Sequence, residues 1–195
     1  MSGSAAIRDA IATLEAAGIS SPRNDAEMLW EFSHGDQTHF TELVSQRALR
    51  IPLQHLTGVA YFRYLELFVG QGVFIPRPET ELLAQVAIDE LSRSENKTVV
   101  ELCAGSGAMA IAIATEVPGA TVYAVEKSPD AFDWLHRNVE KYMGKIQSID
   151  STLTIMQGDA TEVGRLESLI DSVQVVVSNP PYIPNWAIPR DPEVA

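Results

Sequence analysis

From Thr98 to Val177 the chain alternates short apolar runs with helix-forming stretches, and no other feature narrows the fold as much. The runs Thr98–Leu102, Thr121–Val125, Leu153–Met156 and Val173–Val177 are rich in strand-forming residues. Between them, Ala108–Thr115 predicts an alanine-rich helix. Ser128-Pro129 opens a second one, through Phe132, Leu135 and Val139, that stops near Gly144. Leu166–Ile170 predicts a short helix. Strands and helices alternating at this spacing form a parallel sheet covered on both faces, so the expected fold class is α/β.

The residues before this region follow other periods. Ile7, Ile11 and Leu14 recur at helical spacing, and Gly18 suits the end of that helix. Ser21 is a capping hydroxyl before Pro22, and the helix it opens turns Ala26, Leu29 and Phe32 inward. The polar segment "HGDQTH" reads as a loop, and a further helix is expected over Phe40–Leu49. Tyr61–Val69 alternates like a strand, with Gly70–Gly72 as the turn into a second one. In "IPRP" each proline fixes its own φ and biases its neighbour, which forces an extended path. Glu79 or Thr80 then opens a helix through Leu83, Val86, Ala87 and Leu91. The expected domains are a helical one over 1–58, a hairpin and linker over 59–78, and the α/β domain over 79–195.

"VVELCAGSGAMA" sets Gly105-Ser106-Gly107 between a strand and a helix, with small Ala110 three positions on. Glycines there allow a sharp turn and a close ligand, and the helix behind offers free N–H groups. Glu126 ends the next strand, nineteen positions past Gly107, where a ribose diol would be held. The pattern fits any adenosine-bearing cofactor. Glu101 argues against a dinucleotide, because a carboxylate there repels pyrophosphate but attracts an ammonium. S-adenosylmethionine has an ammonium and no phosphate. Glu101 is otherwise a solvated or salt-bridged acid at a strand end. Asp159, in "QGDA", either reaches an adenine amine or is a plain turn aspartate.

The last predicted strand runs into "SNPPYIPN". In an open parallel sheet, ligands sit beyond the carboxyl ends of the strands. Asn179 offers an acceptor oxygen there, and Pro180 and Pro181 offer carbonyls on a stiff backbone. The Asn179 oxygen and the Pro180 carbonyl can accept both hydrogens of a planar –NH₂, and Tyr182 can stack on its plane. Such a cradle aligns a weak nucleophile with a methyl group on a cationic sulfur. No histidine, metal-ligand spacing or nucleophile triad is called for. The 26 acidic against 14 basic side chains, a net charge of −12, argue against holding nucleic acid by its phosphates. The single cysteine, Cys103, excludes an internal disulfide. With no signal peptide or membrane span legible, a cytoplasmic location is expected.

"NPPY" after a strand with "ELCAGSG" upstream resembles the class I methyltransferases that modify planar –NH₂ nitrogens. "SPRNDAEMLW", "PLQHLTGVAYF" and "FIPRPETELL" resemble one branch of these, the release factor glutamine methyltransferases, from about Ile19 onward. The resemblance implies a Rossmann-like domain behind a small helical one. It implies methyl transfer from S-adenosylmethionine, leaving S-adenosylhomocysteine. The acceptor would be the side-chain amide of the glutamine in the Gly-Gly-Gln motif of class I peptide chain release factors. Cys103, Ala104, Gly105, Ser106 and Gly107 would form the cofactor loop, with Glu101 and Glu126 as its acids and Asp159-Ala160 along the adenine. Asn179, Pro180, Pro181 and Tyr182 would hold the glutamine amide, Asn179 also facing the cofactor. Asn179, Pro180 and Tyr182 would carry the catalysis. Arg77 and Thr80 would lie near the cofactor mouth; otherwise "IPRP" is a rigid linker. The family usually has Gly at Cys103 and Asp at Glu101. It also implies further strands, so the sheet is expected to be incomplete at its C-terminal side, with an uncovered edge. Two other readings stay open: an N-methyltransferase acting on adenine in nucleic acid or another planar amine, and a non-catalytic cofactor-binding fragment.

Overall fold

A computed structural model describes residues 3–162 and 166–181. The chain divides into two compact units, one through Gly58 and the other from Val59.

The first unit is helical: α1 (Gly3–Ala16), α2 (Pro22–Phe32), α3 (Gln37–Ala48) and the short α4 (Leu53–Thr57). The buried stripe of α1 is Ala6, Ala10 and Leu14, with Ile7 and Ile11 only partly buried at its edge. Pro22 starts α2 as expected, but the Ser21 hydroxyl makes no capping bond. Ala26 and Leu29 are buried, whereas Phe32 is exposed at the helix end, its ring tilted against His39. The expected loop over "HGDQTH" is shorter than it reads. Asp36 accepts a bond from the His39 N–H at 3.0 Å, so α3 begins at Gln37. Beneath these helices lies a buried ion pair, Arg47 Nε to Asp25 Oδ2 at 2.8 Å, with Arg47 also donating to the Ile51 carbonyl. Removing either partner would leave a bare buried charge, a loss of about 3–5 kcal/mol.

The second unit opens with an antiparallel hairpin, β1 (Val59–Phe62) and β2 (Leu65–Phe68). Its turn is Arg63-Tyr64 and not the Gly70–Gly72 stretch, so the single long strand expected here is in fact the whole hairpin. Arg63 takes a left-handed φ of 51°. That costs a side chain roughly 1–2 kcal/mol. A network offsets it. The guanidinium donates to both Glu116 oxygens, at 2.8 and 2.7 Å, and to Gln85, while the Arg63 N–H donates to Glu81. Phe62, Leu65 and Leu67 join the main core of this unit.

Helix α5 (Thr80–Arg93) buries Ala84, Ala87, Ile88 and Leu91, a stripe that leaves Val86, expected inward, exposed to solvent. There follow β3 (Thr98–Leu102), α6 (Ala108–Glu116), β4 (Thr121–Glu126), α7 (Pro129–Gln147), β5 (Thr152–Gln157) and β6 (Val175–Ser178). A one-turn 3-10 segment, Glu167–Leu169, stands where a short helix was expected. Helix α7 runs through Gly144, because the turn beyond it carries the fully buried Ile146 into the core.

The four strands are parallel and ordered β5-β4-β3-β6. This is the expected α/β architecture. From β3 the chain builds one way through β4 and β5 and the other way through β6, which opens a crevice at the carboxyl ends. Leu102 sits level with Val125 on one side and Ser178 on the other. The residues that follow each of these, Cys103, Glu126 and Asn179, therefore meet at one rim. Among the described residues no helix is long and apolar enough to cross a membrane.

Candidate active site

Beyond Leu102 the chain turns through Cys103–Gly107 into α6, with φ of 60° at Cys103, 56° at Gly105 and 83° at Gly107. The Ala104 N–H donates to the Val125 carbonyl at 3.0 Å and the Gly107 N–H to the Ala104 carbonyl at 2.8 Å. The two glycines answer different needs. A Cβ on Gly107 would run into Leu135 Cδ1. A Cβ on Gly105 would meet nothing within 4 Å, so the space beside this residue is open to a ligand. Asn138, fully buried on α7, holds the loop from behind: Nδ2 donates to the Ser106 and Phe68 carbonyls, and Oδ1 accepts from the Phe68 N–H.

Glu126 is only 8% exposed. Its Oε2 accepts from the Gly105 N–H at 2.7 Å and its Oε1 from the Ser128 N–H at 2.8 Å. Both oxygens keep a lone pair for a ligand hydroxyl. Glu101 is 2% exposed, so it is neither a solvated acid nor, among the described residues, a salt-bridged one. Its Oε2 accepts from the Ala110 N–H at 2.7 Å, taking up a donor in the first turn of α6. Its Oε1 has no hydrogen-bond partner among the described residues. Burial pushes this carboxyl up to about 8, with the nearby Glu126 charge adding to the rise and the Ala110 bond opposing it.

Burial likewise raises the Cys103 thiol, only partly opposed by a hydrogen bond to Ser178, so it is not poised as a nucleophile. The Ser178 hydroxyl donates to the Leu102 carbonyl at 2.9 Å, tying the ends of β3 and β6 together. Asp159 is engaged elsewhere. Its Oδ2 pairs with Lys127 at 2.8 Å, and its Oδ1 takes the N–H and hydroxyl of Thr161. These partners, Lys127 first, hold it well below the usual carboxylate range. The side chain thus plays the turn role, and the Asp159-Ala160 backbone is what remains to face a ligand. The guanidinium of Arg77 lies 5.1 Å over the Phe74 ring. Asn179, Pro180 and Pro181 are exposed at the rim, and Asn179 Nδ2 donates to Thr80 Oγ1 at 3.2 Å. Tyr182 lies outside the described residues. Among the described residues no three acids, histidines or cysteines are grouped to hold a metal ion.

Residues 83–185 match the model of the TRM5/TYW2 methyltransferase domain. Release factor glutamine methyltransferase of Bifidobacterium longum is 40% identical to this chain, over 96% of it and 71% of the relative. The Streptomyces coelicolor protein of the same name is 43% identical, over 98% and 72%. The chain belongs to the release factor glutamine methyltransferase family. It is thus a methyltransferase with S-adenosylmethionine as its cofactor. Among solved structures, Pyrococcus horikoshii TYW2 overlaps 53% of the chain and 36% of itself, at 19% identity and a TM-score of 0.40. That overlap is too small to add to the strand order observed directly.

In a family whose loop must admit a cofactor, the two glycines make a test. Gly107→Ala is expected to cost about 2–4 kcal/mol, from overpacking against Leu135 plus a left-handed φ. Gly105→Ala carries only the backbone strain, about 1 kcal/mol, yet intrudes on the ligand's space. Thermal melts and cofactor titration check both. A Gly107 variant that melts like the wild type would refute the packing role. The residues that sequence reasoning passed over are Asn138, Arg63 and Glu81. Each acts through a partner far away in the chain; Glu81 does sit within "FIPRPETELL", but nothing in that stretch shows that it receives the Arg63 N–H.

Proposed function

We propose that this chain methylates the side-chain amide nitrogen of a glutamine in class I peptide chain release factors, within the Gly-Gly-Gln motif. The observation that carries the reading is the shared rim, where the cofactor loop, Glu126 and Asn179 leave three adjacent strands at one level. The residues present fit S-adenosylmethionine. Gly105 has open space beside it, Glu126 offers acceptors for a ribose diol, and Glu101 keeps a buried oxygen for an ammonium.

The cofactor supplies a methyl group on a cationic sulfur. The chain's own residues orient the acceptor. Asn179 Oδ1 and the Pro180 carbonyl accept the two amide hydrogens of the glutamine, which turns the nitrogen lone pair toward the methyl carbon. Tyr182, which lies outside the described residues, is assigned to cover the amide plane on the resemblance alone. When bound, the cofactor would supply the methyl group, and its sulfur would keep the electron pair of the C–S bond that is given up. The nitrogen then gives one proton to solvent at the exposed rim. No side chain is needed as a strong base, because an amide nitrogen that has gained a methyl group is acidic enough to lose its proton to water. Alignment of this kind can lower a barrier by roughly 7–11 kcal/mol. The net charge of −12 favours a protein substrate over direct nucleic-acid binding, and the reaction is assigned to the cytoplasm, where translation ends.

Labelled S-adenosylmethionine, incubated with the chain and either a release factor or DNA, tests the reading. Label is expected in the release factor, at glutamine. Label in DNA alone would overturn it in favour of an adenine methyltransferase.

A further inference from the structure

Asn179 is exposed, and a side-chain amide at a rim can swing and can face either way round. A hydrogen bond holds this one by its NH₂ end. Its Nδ2 donates to Thr80 Oγ1 at 3.2 Å, and among the described residues its Oδ1 has no partner. Thr80 in turn stands on a fixed frame. It is the first residue of α5, and its N–H donates to the Arg77 carbonyl at 3.0 Å. The next residue, Glu81, accepts from the Arg63 N–H at 2.9 Å, and Arg63 is locked to Glu116.

We propose that Thr80 is a positioning residue for methyl transfer: its hydroxyl holds the Asn179 amide with Oδ1 presented to the substrate. The inference rests on the function proposed above and adds a residue to it. With the NH₂ end of Asn179 occupied at Thr80, only its acceptor end faces the crevice. The opposite orientation would set an N–H of Asn179 against an N–H of the incoming amide, a repulsive contact. Thr80 touches neither reacting atom in this scheme, so its removal should act on turnover and leave cofactor affinity alone.

The experiment compares Thr80→Val, which keeps the shape and removes the hydroxyl, with Thr80→Ser, which restores it. Measured for each are kcat and KM with a release factor, the Kd for S-adenosylhomocysteine, and the melting temperature. Thr80→Val is expected to lower kcat about tenfold with the Kd within about twofold of wild type, and Thr80→Ser to stay within about threefold in kcat. Unchanged turnover in Thr80→Val would overturn the proposal. So would a Ser variant as slow as the Val variant, or a loss of cofactor affinity that matches the loss of kcat. The wild-type rate reports separately on the parent reading: a wild type that transfers no methyl to release factor sinks both, whereas an active wild type with an equally active Val variant sinks only the role of Thr80.

Discussion

Asn179→Ala is expected to lower kcat for methyl transfer by ~10²–10³-fold while cofactor affinity stays within about threefold. The argument is one of location. Asn179 is the first residue after β6, it is exposed, and among the described residues its side chain hydrogen-bonds to Thr80. Its loss should therefore leave the melting temperature nearly unchanged, as for most surface substitutions. What disappears is an acceptor that fixes the direction of the substrate nitrogen. The nitrogen of an amide is a poor nucleophile, because its lone pair is delocalised into the carbonyl. It gains most from being held in line with the methyl carbon, so a misaligned amide should react slowly even when bound. Titration with S-adenosylhomocysteine separates this from a binding defect. Near-normal turnover in Asn179→Ala would remove the cradle from the mechanism.

The strand–helix alternation was legible because strands buried on both faces read as near-continuous apolar runs, and Thr98–Leu102, broken only by Glu101, and Val122–Val125 are such runs. The rim was legible for the same reason: once the strands are parallel, their carboxyl ends bring "CAGSG", Glu126 and Asn179 to one level. What escaped were features set by partners remote in sequence. The hairpin turns at Arg63 because Glu116, fifty-three residues away, receives its guanidinium; nothing in "YFRYLEL" shows that. Asp159 reads like a ligand for adenine until Lys127 is seen across it. The Asp36 cap was hidden in a polar stretch, since an exposed helix start and a loop have the same composition. Glu101 could be placed at a strand end, but its burial depends on α6 lying over it.

Glu101 carries the other large effect, on stability and on binding at once. A carboxyl pushed up to about 8 from an ordinary 4.5 holds a proton in the folded chain that the unfolded chain has released. Stability of the cofactor-free protein should thus fall as pH rises from 4.5 towards 8, by at most about 1.4 kcal/mol per unit, and level off above that. Glu101→Gln keeps the shape and an acceptor for the Ala110 N–H but has no charge to bury. It should match the wild type near pH 5 and exceed it at pH 8.5 by on the order of a few kcal/mol. The same change should weaken S-adenosylmethionine binding about tenfold or more, because the ligand's ammonium loses a charged partner in a desolvated place. In the wild type, affinity should improve as pH rises towards 8, where the carboxyl ionises, and the Gln variant should lack that dependence. Melting curves and calorimetric titrations from pH 5 to about 8.5 measure both effects. A variant with the wild-type slope in stability would show that Glu101 does not hold the proton. A more stable variant with undiminished affinity would show that the buried acid serves α6 and not the ligand. Stabilisation together with weaker binding is the outcome expected of a charge kept in the core for the cofactor's sake.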